Sequence, residues 1–200
     1  IVHSCRRLFA GKAVSVVMPR GEMIESVAYA SDSDDHADTI LKPWPLDRGS
    51  GAGTCILESR LIAVADTAQA ATQFPRMPQL ALAMGYHSAL FVPLLRGGAA
   101  IGCLTILRAA AGEFDAQEIA LAQTFADQAV IAIENARLFN ETQEALANQT
   151  ASADILRVIS QSPTDVRPVF EAIVATAVRL LGVDMSFVFR CKANAISVEA

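Results

Sequence analysis

Residues 85–107 read GYHSALFVPLLRGGAAIGCLTIL. Two apolar runs, 88–95 and 100–107, flank the tight turn Arg96-Gly97-Gly98-Ala99. This predicts an antiparallel β-hairpin. Apolar residues occupy nearly every position rather than every second one, so both faces of the hairpin are expected to be covered. Gly85 stands where a left-handed residue would close a preceding helix. That helix is predicted to start between Pro75 and Pro78 and to run to Met84.

Working upstream, 13–18 is a β-branched run, 19–22 (Pro-Arg-Gly-Glu) supplies turn chemistry, and 23–30 reads as the returning strand. Residues 31–38 are acidic and polar, with Asp32, Asp34, Asp35 and Asp38. A calcium loop needs a glycine at its sixth position and a late glutamate, and neither is there, so a solvated loop is expected rather than a site. Pro43-Trp44-Pro45 forces extended backbone around the single tryptophan. The run DRGSGAG, 47–53, lacks the Lys-Ser/Thr ending of a phosphate loop, and Ile56 stands where GxGxxG needs its last glycine. Its plainer role is to lead into a short helix over 54–59, its glycines allowing close packing. Residues 61–65 are a buried strand ended by Asp66 and Thr67.

Downstream, neither glycine nor proline occurs between Glu113 and Ser162. Asp115 and Glu118 form an Asp-x-x-Glu capping pattern, so a long helix begins there. Ala122, Phe125, Ala129, Ala132, Ala136, Phe139 and Leu146 follow as a seam at heptad spacing. A second stripe, Ile119, Ala126, Val130 and Ile133, lies beside it. One stripe can cover the sheet while the other meets a partner helix; alternatively both fill one core. Over 115–160 such a helix would extend about 70 Å at 1.5 Å per residue, and a lone helix of that length needs a partner. Ser162-Pro163 breaks it, and a new helix over 166–181 is closed by Gly182.

The chain also repeats itself at an offset of 172 positions. Ile1-Val2 falls on Ile173-Val174, Arg7-Leu8 on Arg179-Leu180, Val16 on Val188, Ile24 on Ile196 and Ala28 on Ala200, with Phe9 against Leu181 keeping hydrophobic type. The expectation is a chain that starts inside one domain, 1–138, crosses a linker helix, 139–163, and ends inside a second copy, 164–200.

Composition narrows the function classes. A hydrophobic content of 52% with 18% charged residues describes a folded chain, not a disordered one. The net charge is −5 and no Lys/Arg cluster occurs, which disfavours nucleic acid as a partner. No apolar run approaches the roughly 18 residues that span a bilayer. Cys5, Cys55, Cys103 and Cys191 form no CxxC pair and suit buried small hydrophobes of a reducing compartment. No metal site is expected at these spacings.

Taken together, these segments resemble a GAF domain. The strongest likeness is 85–94, a strand entering Val92-Pro93-Leu94, then the glycine turn and the strand headed by Ile101-Gly102. Phe114 to Glu118 and 125–136 (FADQAVIAIENA) resemble the closing helix of that family. Pro45-Leu46, 49–53, Leu57-Glu58 and the strand ending at Asp66 follow its order. The joint 154–165 looks like that between tandem copies in bacterial sensor histidine kinases and cyclases. The resemblance implies an α+β fold with a central antiparallel sheet of about six strands, helices on both faces, and a long linker helix behind. It also implies a cytoplasmic, homodimeric sensory module that binds a small molecule and relays its state to an output domain in the same polypeptide. The alternative is a ligand-free module that dimerises and spaces the output.

Departures from liganded subtypes matter. Members that bind cyclic nucleotides carry an Asn-Lys, Phe, Asp-Glu set; Phe114 and Glu118 are present, but only Arg108 and alanines precede them. Free methionine sulfoxide reductases of this fold carry a nucleophilic cysteine before Gly-Thr, whereas Ala52 precedes Gly53-Thr54 here and Cys55 follows. Cys55 also lies in no recognisable bilin motif. No catalytic residue and no cofactor is named by the sequence. The segments that wall the family's pocket supply Trp44, Phe74, Met77, Leu80, Met84, Tyr86 and His87 as ligand-binding candidates. His87 could ligate haem iron or stay an exposed polar residue, and the same side chains could fill an ordinary core. His3 and His36 have no constellation around them.

Overall fold

A computed structural model describes residues 1–9, 11–32, 42–161, 166–192 and 195–198. The chain divides into two compact units, Ile1–Glu134 and Asn135–Ala200.

In the first unit the central hairpin forms as the sequence reads. Strand β5 (Ser88–Arg96) pairs antiparallel with β6 (Ala99–Arg108). Gly97 and Gly98 both take positive φ at the turn, which only glycine adopts without strain. A second hairpin, β1 (Ala13–Arg20) and β2 (Met23–Ser31), joins it through β1 and β6. Pro19 belongs to β1 rather than to the turn. It pairs with Ile24 beyond the last β1–β6 partners, Val17 and Cys103, where its missing N–H costs no bond to β6. Short edge strands β3 (Trp44–Pro45) and β4 (Ile62–Val64) complete a six-stranded antiparallel sheet of order β3-β2-β1-β6-β5-β4.

Strand alternation sorts the side chains between two cores. Val14, Val16, Leu90, Val92, Leu94, Leu104 and Ile106 face helix α1 (Val2–Leu8) and the long helix, with Cys5, Phe9, Ala122, Ala126 and Ala129. Ala13, Val17, Phe91, Cys103 and Leu107 face the other way, against α2 (Gly51–Glu58) and α3 (Met77–Met84). Helices therefore lie on both faces, which is why β5 carries no polar stripe in its first seven residues.

Helix α2 starts three residues earlier than the glycines suggest. Ser50 takes extended backbone and its Oγ accepts the Gly53 N–H at 3.1 Å, a cap that places Gly51 and Gly53 inside the first turn. Gly51 is required there because a Cβ would sit 2.3 Å from the Phe91 ring. Helix α3 ends at Gly85 in the left-handed region, as read.

The long helix, α4 (Ala116–Gln161), opens on a reciprocal capping box. The Asp115 N–H donates to Glu118 Oε2 at 2.9 Å and the Glu118 N–H to Asp115 Oδ1 at 2.8 Å. Its first turns bury Ala122, Ala126 and Ala129 against the sheet, with Ile119, Phe125, Val130 and Ile133 at the edges. Ala122 and Ala129, read as part of a partner-facing seam, are thus occupied by the sheet, because residues seven apart share a face whichever surface claims it. Ala132, Ala136, Phe139 and Leu146 are exposed, as is every residue from Asn135 to Thr150.

The second unit holds the distal part of α4, helix α5 (Arg167–Leu181) and a hairpin of β7 (Phe189–Lys192) with β8 (Ala195–Val198). Gly182 closes α5 in the left-handed region. Lys192 pairs with Ala195 and Cys191 with Ile196. The counterparts 172 positions earlier, Arg20 with Met23 and Pro19 with Ile24, pair in the same register. Ile24 is fully buried while Ile196 is 71% exposed. The expected helix break at Ser162-Pro163 and most of the acidic stretch, including Asp34, Asp35, His36 and Asp38, lie outside the described residues. Among the described residues no helix is long and apolar enough to cross a membrane.

Candidate functional site

A cavity of about 390 Å³ lies between one face of the sheet and helices α2 and α3. The sheet supplies its floor through Ser15 of β1, Phe91 of β5, and Thr105 and Leu107 of β6. Helix α3 supplies one wall through Met77, Leu80, Ala83 and Met84, and Trp44 of β3 another. The N-terminal end of α2, Ser50-Gly51-Ala52, closes a third side.

Five sequence candidates meet here: Trp44, Met77, Leu80, Met84 and Tyr86. Phe74 and His87 do not line the cavity. Phe74 is buried in the core on this side of the sheet. His87 is exposed; its N–H donates to the Arg108 carbonyl at 2.8 Å and its carbonyl accepts from Thr67 at 2.9 Å. Tyr86 and His87 are neighbours in sequence, and extended backbone sends neighbours to opposite sides. Ser15, Phe91, Thr105 and Leu107 were missed. Their signal was the period of two along each strand, which shows that they share a side but not which side holds the space.

Around the cavity the charges are arranged. Arg76 grips the Asp47 carboxylate with both terminal nitrogens, Nη1 at 2.9 Å. This contact, with the Gly49 N–H at 2.7 Å, holds the Asp47 carboxyl below the usual carboxylate range. Burial pushes the Tyr86 hydroxyl well above its ordinary pKa, so it stays a neutral donor.

Three of the four thiols are a poor fit to chemistry, and Cys191, expected to be buried, is exposed in the second unit. Cys5, Cys55 and Cys103 are fully buried. Burial pushes Cys5 up to about 12 and raises Cys103 as well, Cys103 also feeling Cys55 beside it. A thiol kept protonated and out of solvent is a weak nucleophile. Among the described residues no group of three or more His, Cys, Asp or Glu is placed to hold a metal ion.

Arg108 follows the cavity-lining Leu107 at the end of β6. It bonds Glu118 and lies over the Phe114 ring. The wall strand β6 is thereby tied to the first turn of α4.

A six-stranded antiparallel sheet with helices on both faces, a cavity above one of them and a long closing helix defines a GAF-type sensory domain. The family model for the GAF domain matches residues 1–134, and the chain belongs to that family. Solved structures agree in fold. The blue-light-absorbing PixJ GAF domain of Thermosynechococcus elongatus is 18% identical, covering 72% of this chain and 87% of its own, with a TM-score of 0.58. The GAF-B domain of DevS from Mycobacterium smegmatis is 17% identical over 70% of this chain and 93% of its own, with a TM-score of 0.54. A type II free methionine-R-sulfoxide reductase from Thermoplasma acidophilum is 16% identical over 66% and 89%, with a TM-score of 0.50. No curated protein sequence matches the chain.

Proposed function

We propose that this chain is the non-catalytic sensory region of a cytoplasmic bacterial signalling protein. It binds a small molecule in the cavity, and a homodimer relays occupancy through α4 to an output domain of the same polypeptide. The observation that carries this reading is the cavity itself, whose walls share a strand with the helix clamp. Thr105 and Leu107 line it, and Arg108, next on β6, holds Glu118 in the first turn of α4. A ligand that fits one position of β6 better than another would bias the helix between two packings by that difference in affinity. The second unit, with its repeated hairpin register, is read as the start of a second GAF domain.

A ligand-free dimerisation module is the second reading. The exposed apolar residues of α4, Ile131, Leu138, Phe139 and Leu146, favour it as much as they favour a sensor. A sulfoxide reductase is disfavoured, because Cys55 and Cys103 are buried and no substrate could reach a thiolate there.

Native and denaturing mass spectrometry of the purified protein, with an absorbance scan, separates the readings. Extra mass lost on denaturation is expected for the sensor. A dimer that carries no extra mass, and gains none from a metabolite extract, would leave the dimerisation module standing.

A further inference from the structure

The cavity is lined by two cations, Lys42 and Arg76, and by no carboxylate among the described residues. Several hydrogen-bond donors there are unused. Tyr86 is only 2% exposed and lines the cavity, which places its hydroxyl there as a donor. Arg76 spends its terminal nitrogens on Asp47 and the Pro45 carbonyl, while its Nε is buried without a partner. At the start of α2 the Ser50 side chain serves Gly53, and the N–H groups of Gly51 and Ala52 have no acceptor among the described residues. First-turn amides of a helix point out of its N-terminal end and carry its positive pole. The first turn of α2 contains no acidic side chain to meet them. The rest of the lining is mostly apolar, Trp44, Met77, Met84 and Phe91 among it, with the neutral polar Ser15, Gln79 and Thr105.

Buried donors without acceptors are costly, and a bound acceptor removes that cost. The sign is set by the company they keep: a helix N-terminus, a guanidinium and an ammonium all favour an anion. Asp47 offsets part of the Arg76 charge but is not among the lining residues, and among the described residues no carboxylate lines the cavity to meet Lys42 or the helix pole. The size follows from the volume. At the ~30 Å³ that a water occupies in the liquid, the cavity has room for roughly a dozen non-hydrogen atoms.

Resting on the sensor reading above, we infer that the cavity is built for a small organic anion. An apolar or aromatic body lies between Trp44 and α3, and a single carboxylate is received at the N-terminus of α2 beside Arg76 and Lys42. The Tyr86 hydroxyl supplies a further donor.

Trp44 is the only tryptophan in the chain and lines the cavity, so its fluorescence reports occupancy. The test titrates the whole chain with 3-phenylpropanoate and with its neutral isostere, 3-phenylpropanamide. The carboxylate is expected to bind about tenfold more tightly, the value of one hydrogen bond made to a charged group. Lys42→Met and, separately, Arg76→Gln are expected to shrink that preference without abolishing binding of the amide. Lys42 is exposed, so its variant keeps the test sound if Arg76→Gln disturbs the fold. Equal affinity for the two probes overturns the anionic end and leaves a ligand-binding cavity standing. Saturable binding of neither, by protein with an unchanged circular dichroism spectrum, overturns both.

Discussion

The guanidinium of Arg108 lies 3.9 Å above the centroid of the Phe114 ring. The same side chain reaches Glu118, so one residue at the end of β6 fixes both the loop before α4 and the first turn of α4. Its side chain is largely buried, which strengthens a cation–π contact and a charged hydrogen bond alike. Arg108→Met is expected to lower stability by about 1–3 kcal/mol. Urea unfolding measures this, and an unchanged midpoint would show that the clamp contributes nothing.

Close approach at Gly51 makes a second, opposite case. Helix propensity alone says that alanine should improve α2 by about 1 kcal/mol. Packing says otherwise, because the added Cβ would fall 2.3 Å from a buried ring atom of Phe91. Overpacking costs about 1–3 kcal/mol, so it wins, and Gly51→Ala is expected to be destabilising. Pairing it with Phe91→Leu should recover part of the loss. Strict additivity in that double-mutant cycle would place the strain elsewhere.

These two sites show what the sequence discloses. The hairpin 85–107 was legible because apolar residues fill both faces and two glycines mark the turn. The capping box was legible because Asp115 and Glu118 are local. The start of α2 was misplaced because Gly51 and Gly53 look like punctuation; Gly51 at least is there for a neighbour 40 residues away in sequence. Trp44, Met77, Leu80, Met84 and Tyr86 came from the likeness to the GAF domain, whose corresponding segments wall a pocket, whereas Ser15, Phe91, Thr105 and Leu107 needed knowledge of which sheet face carries space. The seam on α4 was half legible. Heptad spacing marks Ala122 and Ala129 as surely as Phe139, and only the position of the sheet distinguishes them.

Acid should weaken the rim of the cavity. Asp47 titrates below its ordinary value because Arg76, and then the Gly49 N–H, favour the carboxylate. A carboxyl depressed in the folded state stabilises fully above its unfolded pKa of about 3.9 and loses that contribution as pH falls through the folded value. Asp47 is nearly half exposed, so the effect is a small one. Asp47→Asn is expected to lessen the drop in stability between about pH 6 and pH 3. An identical pH dependence in variant and parent would remove Asp47 from the account.

The apolar residues of α4 set the last expectation. Phe125, Ala132, Phe139 and Leu146 recur every seven residues, the spacing that holds two helices in register. Phe139 is 63% exposed, in a stretch where nothing is buried, and Ile131, Leu138 and Leu146 are exposed beside it. If these residues meet a second copy, Phe139→Glu introduces a charge at a contact that typically contributes 2 kcal/mol or more, so dimer affinity falls by roughly 30-fold or more. The fold of the monomer is expected to stay intact because no neighbour in the first unit is lost. Ala129→Glu makes the contrast: Ala129 is 3% exposed against the sheet, so a glutamate there unfolds the domain rather than parting a dimer. Sedimentation velocity with circular dichroism on both variants distinguishes the two faces. A folded Phe139→Glu protein that sediments like the parent would show that this stripe is not the contact between copies.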